Sequence, residues 1–228
     1  MPRALAALHA AVRQGMPGMA PHFRWRSAMN EQQSLAAAIH EAVRLQAYDS
    51  SWPAAYATER ERLLRVIPGV FLDLQHIGST AVPGLAAKPI IDIMAGVASM
   101  AVAESLAAPL CACGYTTSAE FNATLRDRKW FMRWADGHRT HHLHVVVHES
   151  QAWHERLRFR DALRADPALA ACYAELKASA AEQHASDREA YTDAKAGFVR
   201  AVSDAARPLH HEDLPLPLKH QTSEEKKP

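Results

Sequence analysis

Two stretches carry side chains that could do chemistry together. The first, residues 76–93, reads HIGSTAVPGLAAKPIIDI. Within it, Gly78-Ser79-Thr80 offers hydroxyls and backbone N–H groups just after an apolar run, where a strand-to-helix turn can meet a phosphate at the positive helix end. Lys88 can offset part of a phosphate's charge, and Asp92 offers the hard oxygen that a divalent cation such as magnesium requires. An ordinary turn explains Gly78-Ser79 equally well. Asp92 stands among isoleucines, where an unpaired charge is very costly, so it is expected either to serve a site or to meet an arginine.

The second stretch crowds His138, His141, His142, His144 and His148 into one hairpin. By strand alternation only His142 and His144 face the same way, so a metal site here needs a third ligand, for which His76 is the candidate. Imidazole suits zinc, copper or iron better than magnesium, and hydrogen bonding of a ligand is the competing role for this pair. Glu59 lies on an apolar helix face and is expected to pair with an arginine of the Phe159-Arg160-Asp161 segment. Arg160 and Asp161 themselves read as a satisfied interface pair. Tyr173 and Lys177, like Tyr191 and Lys195, stand one helical turn apart with no glycine-rich dinucleotide turn before them. Each tyrosine and lysine stem can simply cover a neighbouring helix, while a phosphate-facing role stays open for Lys195.

The elements that must position these groups can be read from periodicity. Ser51 can cap a helix whose Trp52, Tyr56, Leu63, Val66 and Ile67 share a face, ending before Pro68-Gly69. Runs at 70–77 and 89–97 read as neighbouring strands, 99–113 as a helix, and Gly114 as the start of a short strand. Two further strands are expected at 129–134 and 140–148, with Asp136-Gly137 as their hairpin turn. From 150 to 207 the pattern is helical, with Asp166-Pro167 and Ser186-Asp187 as helix starts. The expected fold is α+β, a mixed sheet of about five strands with helices packed on it and a helical C-terminal part. Residues 1–47 read as a helical, partly disordered appendage, 48–207 as the domain, and 208–228 as a disordered tail rich in proline, histidine and charge.

The 76–93 run resembles the GrpB family, as do Arg139-Thr-His-His-Leu-His-Val-Val146, Leu157–Arg164 and Tyr191-Thr-Asp-Ala-Lys195, in the family's order. The resemblance covers roughly 48–202 and implies a nucleotidyltransferase-like fold. It implies that Gly78, Ser79 and Thr80 cradle a nucleotide phosphate, with Lys88, His142, His144 and Lys195 on the ligand. Asp92 would be the catalytic carboxylate holding magnesium. In that fold a second carboxylate normally follows on the same strand face, but Ile90, Asp92 and Met94 share that face here, so Met94 stands in its place. Two readings therefore stay open. One is nucleotidyl transfer with a divalent cation, and the other is a non-catalytic domain binding a nucleotide or phosphorylated small molecule.

Composition narrows the partners. With 26 basic and 25 acidic residues in 228, the formal charge of +1 gives no field for wrapping nucleic acid or docking on an anionic membrane. No stretch approaches the roughly 20 apolar residues of a membrane span. Cys111, Cys113 and Cys172 are too few for a disulfide scaffold, so a reducing, cytoplasmic setting is expected, with Cys111 and Cys113 as buried small residues. The oligomeric state has no signature.

Overall fold

The computed structural model of the chain describes residues 42–135 and 137–206. The expected appendage, apart from residues 42–47, the tail at 208–228, and Asp136 of the hairpin turn lie outside the described residues. Val43 donates its N–H to the Ala185 carbonyl and Gln46 pairs with Ala87, so the described contacts of the domain begin before Tyr48.

Helix α1, Trp52–Val66, has Pro53 in its first turn, where no N–H is needed. Ser51 holds the cap position without a side-chain cap bond; its own N–H donates to the Asp49 carboxylate at 2.8 Å. Strand β1, Asp73–Ile77, leads into a three-residue 3-10 turn at Ser79–Ala81 and then β2, Ile91–Val97. The helix expected after β1 is only that turn, because Pro83 and Gly84 follow at once.

The single helix expected over 99–113 is two, α2 at Met100–Ser105 and α3 at Ala107–Ala112. Pro109 lacks the N–H that would have bonded back to Ser105, where α2 stops. Strand β3, Tyr115–Thr116, is followed by a short helix α4, Ala119–Thr124, which has no periodic signature in six residues; Ser118 caps it by accepting from the Phe121 N–H. The hairpin β4, Arg128–Ala135, and β5, His138–Val147, comes next. Helices α5, Gln151–Ala165, α6, Pro167–Gln183, and α7, Arg188–Ala205, follow as the last elements among the described residues. Their caps Ser150, Asp166 and Asp187 each accept a first-turn N–H, which is why they start where they do.

The strands form one sheet in the order β1-β2-β5-β4-β3, with β2 and β5 parallel and the other pairs antiparallel. One face buries Leu74, Ile91, Ile93, Leu143 and Val145 against Trp52 and Leu63 of α1 and against Leu106 and Leu110. Each such side chain contributes roughly 1.5–3 kcal/mol when fully buried. The opposite face seals Ile77, Met94 and Val146 beneath Trp153 of α5. A β-carbon on Gly96 would stand 3.0 Å from the Trp153 ring and 2.8 Å from His148, so glycine is what allows α5 to come this close. Helices α6 and α7 pack beside α5 through Leu163, Tyr173 and Phe198.

Candidate functional site

Strand register assembles the site. Asp92 of β2 lies opposite His142 of β5, and Met94 opposite His144, so all four share one face of the sheet. Ile77 is the partner of Asp92 on the other side, so the chain leaves β1 beside the carboxylate and turns at Gly78. Gly78 has φ 71°, and a β-carbon there would overlap the Asp92 carboxylate.

His142 Nδ1 lies 2.9 Å from Asp92 Oδ1, and His144 Nε2 lies 3.7 Å from the same oxygen. One ligand atom from each of the three residues falls within 4.8 Å of the others. The remaining ring nitrogens, His142 Nε2 and His144 Nδ1, are buried without a hydrogen-bond partner. Burial works to raise the Asp92 carboxyl, but hydrogen bonds from His142 and then His144 outweigh it and hold it well below the usual carboxylate range. Burial pushes the His144 imidazole down to about 4 against the pull of Asp92. At neutral pH the pair is therefore a carboxylate beside a neutral imidazole. The Asp92 side chain stays 28% exposed, enough for a ligand to reach it.

Helices α6 and α7 supply the opposite wall. Lys177 is 2% exposed, and its ammonium donates to Ser79 Oγ at 3.1 Å and to the Ala86 carbonyl. Burial draws it down to about 7, helped by the nearby charge of Lys195. Lys195 Nζ sits 3.6 Å from the Tyr191 ring centroid and Lys88 Nζ 4.8 Å from it; burial lowers Lys195 to about 8. These lysines, with Ser79 and the Asp92 cluster, line a cleft of about 290 Å³. A phosphate entering it would meet desolvated ammonium groups, the setting in which charge-assisted hydrogen bonds are strongest. A second cleft of about 560 Å³ shares Gly78, Asp92, His144 and Phe159, and its lining mixes Arg128, Arg156 and Arg200 with Asp127, Glu155 and Asp204.

The residues expected from sequence fall into two groups. Gly78, Ser79, Thr80, Lys88, Asp92, His142, His144 and Lys195 all line the smaller cleft. Thr80 is buried, however, and its hydroxyl is engaged with the Ile90 carbonyl and His76 Nε2. His76 is not a third ligand: it pairs with Ile93, which puts it on the other face, stacked on Tyr56. The helix dipole invoked for Gly78-Ser79 is missing too, since three residues of 3-10 turn sum almost no dipole. Glu59 pairs with Arg62 at 2.8 Å and Arg133 at 2.6 Å and accepts from the Tyr115 hydroxyl, not from Arg160. Arg160 does pair with Asp161, and it also donates to the Gln75 side chain and the His76 carbonyl. Cys111 is exposed and Cys113 half-buried, so neither is a core residue.

A two-magnesium clamp does not fit this donor set. Met94 is fully buried under Trp153, Asp73 binds Gln75 and the Leu74 N–H, and Glu59 is locked in its own ion pairs. Among the described residues, the side chains paired with Asp92 are the imidazoles of His142 and His144. Lys177 is the residue that sequence reasoning passed over. Its signal is the repeated Tyr-x-x-x-Lys spacing; reading it as helix cover explains the Lys177 contact with the Tyr173 ring at 5.0 Å but not the bond to Ser79.

The profile of the family described as GrpB protein matches residues 42–205. The UPF0157 protein of Streptomyces coelicolor is 39% identical over 166 residues, 70% of this chain and 81% of that protein. A UPF0157 protein of Pseudomonas aeruginosa is 42% identical over 159 residues, 68% of this chain and 63% of its own length. Similarity extends to a dephospho-CoA kinase of Mycolicibacterium paratuberculosis, 33% identical over 180 residues, 69% of this chain and 44% of that protein. Among solved structures, the crystal structure of conserved protein GrpB from Enterococcus faecalis superposes with a TM-score of 0.64 at 31% identity, covering 72% of this chain and 96% of that one.

Proposed function

The chain belongs to the GrpB family, and from that footing we propose that it binds a phosphorylated small molecule, with nucleotides the first class to test, in the cleft between Ser79 and Lys195. The observation that carries this reading is the buried Lys177 ammonium held on Ser79 Oγ, with Lys195 close enough to lower its pKa. Two amines kept this dry repel one another, and a phosphate dianion between them relieves both the repulsion and the desolvation. Ser79 adds a hydroxyl and Lys88 a further positive charge, while the buried Tyr173 and Tyr191 rings carry the lysine ammonium groups.

Nucleotidyl transfer is the second reading, and the two clefts favour it. They meet at Asp92 and His144, so a phosphorylated donor on the lysine side and an acceptor in the larger cleft, where Arg128 and Arg156 pair with Asp127, would face each other there. The lack of a second carboxylate ranks transfer below binding.

The test is a thermal-shift panel of nucleoside mono-, di- and triphosphates, dephospho-CoA, CoA and sugar phosphates, run on the wild type, Ser79→Ala and Lys177→Met. A ligand that binds only the folded state raises Tm by mass action. At least one phosphorylated compound should stabilise the wild type and lose most of its effect in both variants. Stabilisation indifferent to both substitutions, or none across the panel, would remove the proposal.

A further inference from the structure

We infer that Asp92, His142 and His144 form a mononuclear site for a divalent cation of borderline softness, zinc being the reference ion, with open coordination positions toward both clefts. The inference uses the same cleft as the proposed ligand but does not depend on a phosphate binding there. Adjacent parallel strands fix the ligand pairs in register, so the three donors are held by backbone hydrogen bonding and not by a mobile loop. One donor atom from each lies within 4.8 Å of the others, so small side-chain rotations bring all three to the roughly 2 Å at which zinc holds nitrogen and oxygen ligands.

The donor chemistry selects the ion. Two imidazole nitrogens and one carboxylate oxygen suit zinc or ferrous iron, whereas magnesium prefers an all-oxygen octahedron and keeps its waters. Both histidines turn one nitrogen to Asp92, and the other, His142 Nε2 or His144 Nδ1, is buried with no partner. The Asp92 carboxylate can only accept, so its bond to His142 Nδ1 places the ring proton there; a metal ion would take that proton's place, leaving the unpartnered His142 Nε2 and His144 Nδ1 to carry the ring N–H groups. Structural zinc sites close all four positions with protein ligands, while reactive ones leave a position for solvent or substrate. Asp92, His144 and Gly78 border both clefts, and Gly78 has no side chain to fill the gap.

The experiment titrates cobalt(II), a visible-absorbing stand-in for zinc, into chelator-treated full-length protein. The variants are Asp92→Asn, His142→Gln and His144→Gln, all close in size to the residues they replace, with folding checked by circular dichroism. One equivalent should give a visible d–d band that zinc displaces and excess magnesium does not. Each variant should weaken binding by at least roughly tenfold, the scale attached even to losing an outer-shell partner, while His154→Gln, an exposed histidine outside the cluster, should keep the band. A band that survives in folded variants would place the metal on other histidines and overturn the assignment. So would displacement by magnesium at concentrations like those of zinc, or no band at all. Loss of phosphate binding with the band intact would remove the proposed function and leave this site standing.

Discussion

The Asp92 carboxylate lies where a side chain on Gly78 would have to go: the carboxylate carbon is 3.0 Å from the position a Gly78 β-carbon would take, and Gly78 has φ 71°. Gly78→Ala therefore combines a left-handed backbone with a clash at the floor of the cleft. It should destabilise the protein by roughly 1–3 kcal/mol in urea unfolding and weaken any ligand that needs Asp92. A variant as stable as the wild type would show that the turn and carboxylate are not so tightly fitted.

Phosphate binding should depend on pH through the lysines. Burial lowers the amines to about 7 for Lys177 and about 8 for Lys195, so in the free protein they lose charge far below the usual lysine range. A dianionic ligand needs them protonated, so affinity falls as pH rises through that window, and binding above it must take up protons. Calorimetry in buffers of different ionisation enthalpy measures that uptake; no uptake above neutral pH would mean the lysines are not at the ligand.

Glu59 should matter for stability and not for ligand binding. Burial opposes ionisation, but the hydrogen bond and charge of Arg62 and the charge of Arg133 outweigh it, and the carboxyl is lowered. A lowered carboxyl contributes stability above its unfolded value of about 4.5 that is lost as pH falls through the folded value. Glu59→Ala should cost roughly 3 kcal/mol at neutral pH, flatten the acid limb of the stability profile and leave ligand affinity intact. Lost affinity in a folded Glu59→Ala would return this residue to the site.

Restoring a second carboxylate should fail. Met94→Asp puts a charge among Ile77, Val146 and Trp153, and an uncompensated buried charge costs roughly 3–5 kcal/mol. Denaturant unfolding reads the loss; a stable variant that gained magnesium binding would contradict the sealed packing described for Met94.

Much of the scaffold is legible in the sequence because it rests on short-range rules. Asp166-Pro167 and Asp187 cap helices as local chemistry dictates, and Ile91 to Val97 reads as a buried strand from its side chains alone. The break between α2 and α3 is carried by Pro109, and α4 is too short to leave a period. The site is legible only in pieces. Asp92 and His142 are 50 positions apart, and their contact depends on β2 and β5 being parallel in that register, which no local pattern encodes. His76 fails as a ligand for the same reason, since a one-residue offset on β1 sends it to the other face. Lys177 is missed because a lysine one turn from a tyrosine looks alike on a surface and in a cleft.

The central claim, that the buried Lys177 ammonium on Ser79 receives a phosphate, is tested most directly by titrating pyrophosphate calorimetrically into the wild type and Lys177→Met. Losing a charge-assisted hydrogen bond should weaken binding by roughly tenfold or more, with Glu59→Ala unchanged as the control. Equal affinity in the wild type and Lys177→Met, or no binding to the wild type, would contradict the account.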